Sequence, residues 1–169
     1  MASLRGLIPW ILTMLVAAPG TASATNYTLW INGRGGTGVV GNYNSFTYWG
    51  PAASAAGVNP KSVNWDGYSS ISAQNGKIRD ALDCFCTGNN WCYIATHDAG
   101  DLMLGYTLAN YGGSARMRKN AVANATGQCG NSDGNSQIGW NIKWVRVAGG
   151  AAGGSELSDY GTWPAAEPL

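Results

Sequence analysis

Hydrophobic and polar positions change period along this chain, and the changes mark out its elements. Tyr27 to Ile31, Lys61 to Trp65, Trp91 to Thr96 and Ile142 to Ala148 are short β-prone runs, which predicts four strands. Between the second and third, Ile71, Ile78, Ala81, Leu82 and Phe85 fall on one helical face; they predict a helix from Ile71 to Phe85, weakened in its middle by Gly76. Leu102, Leu104, Leu108 and Ala109 predict a second helix, from Asp101 to Tyr111, before the fourth strand. Strands alternating with helices imply parallel β-α-β units. The expected fold is therefore α/β, a three-layer, mostly parallel sheet with flanking helices. Two stretches lack a period: Gly33 to Asn59, rich in Gly, Asn, Ser and aromatic residues, and the polar, glycine-rich Asn120 to Gln137. Connections of that length read as functional loops or tethered insertions.

The N-terminus stands apart from this pattern. Met1 to Arg5 carries one positive charge, Leu7 to Ala18 is almost wholly apolar, and Ala22-Ser23-Ala24 fits a small-residue cleavage site. Residues 1–24 thus read as a secretory signal peptide, giving a secreted or periplasmic chain that starts near Thr25. The apolar run is short and interrupted by Pro9, which argues against a membrane span. Residues 25–169 suffice for a single domain with a real core. Without Arg5 the charges balance at nine basic and nine acidic residues, so nucleic acid and anionic membrane, which need a concentrated basic surface, are not the expected partners.

Four cysteines in an exported chain, Cys84, Cys86, Cys92 and Cys129, predict two disulfides with three connectivities open. A direct Cys84 to Cys86 bridge would be strained, so each is expected to reach a different partner, and a bridge to Cys129 would tether the second aperiodic stretch. Their spacing matches no common zinc site and the lone His97 has no partner at ligand spacing, so no metal is expected. Gly36-Thr37-Gly38-Val39-Val40-Gly41 has the glycine spacing of a dinucleotide loop, and Asp66 follows about 25 residues later. The residues after it make a poor helix start on which to seat a pyrophosphate, so no cofactor is assigned.

Thr96-His97-Asp98-Ala99-Gly100 joins the third strand to the second helix, with small residues where a strained strand-to-helix turn needs them. It resembles the G-x-S-x-G nucleophile elbow of the α/β-hydrolase family, in the esterase and lipase branch, with Thr96 at the first glycine position and Asp98 at the nucleophile position. The resemblance runs from about Tyr27 to Ala148: strand, loop, strand, helix, strand, elbow, helix, strand. It implies that Asn32-Gly33-Arg34-Gly35-Gly36 is the loop supplying half of an oxyanion hole, through the Gly33 backbone N–H, and that the Ala99 N–H supplies the other half. An elbow aspartate occurs in the dehalogenase and epoxide-hydrolase branch, but the flanks here resemble the serine branch, so Asp98 reads as a substitution into a serine-type elbow.

The family's mechanism also needs a general-base histidine later in the chain, and His97, the only histidine, adjoins the nucleophile position. The chain therefore reads as a partial or degenerate hydrolase-like domain, incomplete at its C-terminus and inactive or nearly so, whose active relatives would take a small-molecule or lipid ester. The competing reading is a non-catalytic binding module for carbohydrate. Seven tryptophans and eight tyrosines follow residue 24, beside abundant Asn and Gly, although Trp30, Trp65, Trp91 and Trp144 fall in predicted strands and are expected in the core. Turn and surface roles are expected for Asp66, Arg34 and His97, while Glu156 and Asp159 follow the last strand, where a triad acid would have no histidine to serve.

Overall fold

A computed structural model describes residues 24–36, 38–114, 129 and 139–151. The signal-peptide reading, most of the stretch from Asn120 to Gln137, and Glu156 and Asp159 lie outside the described residues. Four strands form one all-parallel sheet: β1 (Asn26–Ile31), β2 (Pro60–Val63), β3 (Trp91–His97) and β4 (Ile142–Ala148), in the spatial order β2-β1-β3-β4. Three α-helices flank it, α1 (Gly50–Ala56), α2 (Ile71–Phe85) and α3 (Ala99–Tyr111). The α/β expectation is met at this level.

Alternation along the strands decides which face is core. Tyr27, Leu29 and Ile31 of β1 and Cys92 and Ile94 of β3 point to one face, where they meet Ile78, Ala81, Leu82 and Phe85 of α2 and Met103 and Leu104 of α3, all buried. Burying each large aliphatic or aromatic side chain of this set is worth about 1.5–3 kcal/mol, so this layer is the main source of stability. The helix pair meets at Thr107, whose single hydroxyl proton is shared between the Met103 carbonyl at 2.7 Å and the Asn75 carbonyl of α2 at 3.2 Å.

Helix α1 falls inside the aperiodic Gly33 to Asn59 stretch. It buries only Ala53, so no stripe announces it; its signals are Pro51 in the first turn, an alanine-rich body and Gly57 as a left-handed stop at φ 65°. The rest of the stretch is held by Asn64, whose side-chain amide donates to the Ser45 carbonyl at 2.7 Å, and by Tyr43, buried edge-on against Phe85 with ring centroids 5.0 Å apart.

Two bridges, Cys86–Cys92 and Cys84–Cys129, resolve the open connectivity. The first ties the end of α2 to the start of β3, and the second anchors Cys129 to α2. The expectation for the tryptophans needs correction. Trp65 is buried, but Trp30 is only half-buried, Trp91 is 40% and Trp144 44% exposed: Trp144 lies on β4, which is exposed on both faces, and Trp30 and Trp91 turn to the face opposite the helix pair. Helix α1 approaches that face beside β1, where Ala56 shares a groove with Thr28 and Trp30. Among the described residues no helix is long and apolar enough to cross a membrane.

Candidate active site

The chain leaves β1 toward β2 on one side of the sheet and leaves β3 toward β4 on the other, although β1 and β3 are neighbours. The carboxyl ends of β1 and β3 are therefore a topological switch point, the place where open parallel sheets bind ligands. Asn32 to Gly36 follows β1 there. His97 and Asp98 meet it from the end of β3.

Asp98 is the residue between β3 and α3, with φ 49° and ψ −129°. Among the described residues only Asn59 shares a positive φ without being glycine. Such a conformation is uphill by about 1–3 kcal/mol and persists only where its surroundings hold it. Here the hold is visible on three sides. The Asp98 N–H donates to the Ala148 carbonyl of β4 at 3.3 Å, its carbonyl accepts from the Asp101 N–H at 3.1 Å, and its Oδ2 accepts from the Arg34 N–H at 2.9 Å.

Close approach explains the glycines around it. A Cβ on Gly33 would lie 2.7 Å from the Asp98 Cβ and 2.9 Å from His97 Nδ1, while one on Gly100 would lie 2.7 Å from the Asn32 carbonyl oxygen. The β1 loop and the turn after β3 are thus in backbone contact. Only glycine fits at either place.

Each residue singled out in the sequence can now be located. The Gly33 N–H, expected to serve an oxyanion hole, donates instead to the Tyr48 hydroxyl oxygen at 2.9 Å, and it is the Arg34 N–H that reaches Asp98. Ala99 opens α3, so its N–H has no acceptor within the helix. His97 ends β3 with Nδ1 3.0 Å from the Tyr48 hydroxyl. Asp66 is outside the site: its carboxylate accepts from the Tyr68 and Ser69 amides, the Ser69 hydroxyl and the Gln74 amide, closing its own turn. The Cys86–Cys92 bridge sits at the start of β3, the end of the strand remote from Asp98.

Sequence reasoning missed Tyr48. It lies in a run with no motif, 15 residues beyond Gly33, and nothing local marks it. Its hydroxyl joins the two segments, accepting from the Gly33 N–H at 2.9 Å and lying 3.0 Å from His97 Nδ1. Burial pushes the Tyr48 phenol above its ordinary range; the Gly33 N–H opposes this and the Asp98 carboxylate adds to it. Tyr48 is therefore a hydrogen-bond donor near neutral pH and not a base. Two fully buried oxygens at the ends of β1 and β3, Asn32 Oδ1 and Thr96 Oγ1, have no hydrogen-bond partner among the described residues.

A concavity of about 320 Å³ lies on the sheet face opposite the helix pair. It is lined mainly by Thr28 and Trp30 of β1, Tyr93 and Ala95 of β3 and Trp144 of β4. Ring contacts from Trp30 through Trp49 to Tyr48, at 5.1 and 5.2 Å between centroids, connect it to the turn at His97 and Asp98. Among the described residues no cluster of His, Cys, Asp or Glu could hold a metal ion. No protein family, curated protein or solved structure was found to match this chain.

Proposed function

We propose that this chain is a secreted or periplasmic α/β-hydrolase-like domain of esterase or lipase ancestry whose elbow is silenced by Asp98. One observation carries the reading: a non-glycine residue held at positive φ in a strand-to-helix turn, its side chain directed at the amide of the neighbouring loop, at the switch point of a parallel sheet. A nucleophile mount uses that strain, because the turn thrusts one side chain out between strand and helix.

Chemical silence follows from the residues present. Ester hydrolysis through a serine needs a base to take the hydroxyl proton and return it to the leaving group. A carboxylate in that place needs a base to activate the water that would clear any ester formed. The sole histidine is committed to Tyr48 and precedes the elbow residue. Assay of the 169-residue chain on short-chain p-nitrophenyl esters should give rates at background. Hydrolysis that disappears in Asp98→Ala would overturn the silenced reading.

The aromatic groove supports a second reading, a carbohydrate-binding module, since Trp30, Tyr93 and Trp144 offer ring faces beside the polar Asn26 and Thr28. Saturable quenching of tryptophan fluorescence by an oligosaccharide, lost in Trp144→Ala, would favour it over the first.

A further inference from the structure

The loop that faces Asp98 has two adjacent backbone donors, the Gly33 and Arg34 N–H groups, and both are occupied by side chains of this chain. Arg34 donates to Asp98 Oδ2 at 2.9 Å and Gly33 donates to the Tyr48 hydroxyl oxygen at 2.9 Å. Both occupants are held in place although the site is open to solvent, Tyr48 being 49% exposed. The Asp98 side chain is fixed by a backbone held at φ 49°, and the Tyr48 ring is packed at 5.2 Å from both Trp49 and His97 while its hydroxyl also meets His97 Nδ1. The carboxylate brings to the Arg34 amide the negative charge that an anionic ligand would otherwise supply. The phenolic oxygen blocks the amide beside it.

We infer that Tyr48 and Asp98 together form an internal plug, so that a site for a tetrahedral oxyanion is built into the β1 loop but filled from within, and that removing both groups opens it. This rests on the elbow reading above. It adds that silencing is twofold: the nucleophile position is changed, and the two β1-loop donors are already satisfied, while the Ala99 N–H at the start of α3 stays outside the plug. Tyr48 acts here as a positioning residue, holding Gly33 and His97 in register.

Two substitutions remove the plug without removing the packing. Asp98→Gly deletes the carboxylate at a backbone conformation that glycine adopts freely, and Tyr48→Phe deletes the hydroxyl while keeping the ring between Trp49 and His97. The probe is butylphosphonate, followed through the Gly33 and Arg34 amide resonances of the full chain, so that binding elsewhere on the surface is not counted. The double variant should show saturable shifts at both amides, with affinity at least about tenfold above wild type, the ratio that one recovered hydrogen bond to a charged group supplies. Either single variant should fall between the two. Phosphonate-independent amides in the double variant, or equal affinity in the wild-type chain, would overturn the plug. The thermal midpoint of Asp98→Gly separates this from the parent reading. A raised midpoint with no phosphonate response removes the plug alone, whereas an unchanged midpoint removes the strained elbow on which both rest.

Discussion

Asp98 shows how much one residue can carry. Its backbone is strained because the Ala148 carbonyl, the Asp101 amide and the Arg34 amide all fix it, so relief is predicted to stabilise: Asp98→Gly should raise stability by about 1 kcal/mol, read as a higher urea midpoint at unchanged slope. Gly33→Ala is the opposite case. Its new methyl would lie 2.7 Å from the Asp98 Cβ and 2.8 Å from the His97 carbonyl, so it should lower stability by about 1–3 kcal/mol, and the same denaturant titration tests it. Asp66 makes a pH prediction. The Ser69 hydroxyl, helped by the Tyr68 and Ser69 amides and opposed by slight burial, holds its carboxyl below the usual carboxylate range. A depressed folded value means that the stabilisation is complete above the unfolded value, about 3.9, and is lost as the pH falls through the folded one. The group is open to solvent, so the effect is small. Asp66→Asn should lower stability slightly at neutral pH and flatten the acid limb, so that the two proteins converge as the pH falls through the folded value.

The two bridges differ in what they constrain. Cys86–Cys92 spans 6 residues and Cys84–Cys129 spans 45, so on chain-entropy grounds their loss should destabilise by about 2 and about 4 kcal/mol respectively, with paired Cys→Ser variants compared by urea denaturation. Unreduced mass spectrometry should find no alkylatable thiol in the native protein. The elements also show why some features could be read in advance. Helix α2 has the bounds expected for it because four large apolar positions repeat at its period, and β4 likewise matches its expected run. Helix α1 was illegible as a stripe because seven residues burying one alanine leave no periodic trace. Strand β2 stops at Val63, short of the expected Trp65, because the Asn64 side chain takes up the loop carbonyls and Trp65 turns in to donate its indole N–H to the Asn32 carbonyl at 2.7 Å.

At the scale of the whole molecule, the proposed silence has a consequence for repair. Asp98→Ser alone should leave short-chain ester hydrolysis at background, since no base is restored; fusing that variant to the C-terminal portion of an active esterase carrying its histidine is the arrangement expected to recover turnover. The candidate site was half legible. The turn from Thr96 to Gly100 stands out because small residues must interrupt a strand-to-helix junction, and the glycines after β1 mark a close approach. Tyr48 was not legible, since it reaches Gly33 and His97 only through the path of a loop whose course depends on Asn64 and Phe85. By itself the sequence determined the alternation of strands and helices, the parallel class of the sheet, and the strand-to-helix turn at Asp98, because those depend on period, chain order and local turn chemistry. Strand order, the face to which each tryptophan turns, the pairing of cysteines and the capture of the Gly33 and Arg34 amides were decided only by the tertiary structure. Each of these is a contact between segments distant in sequence, and the energy that selects among such contacts exists only once the layers have packed.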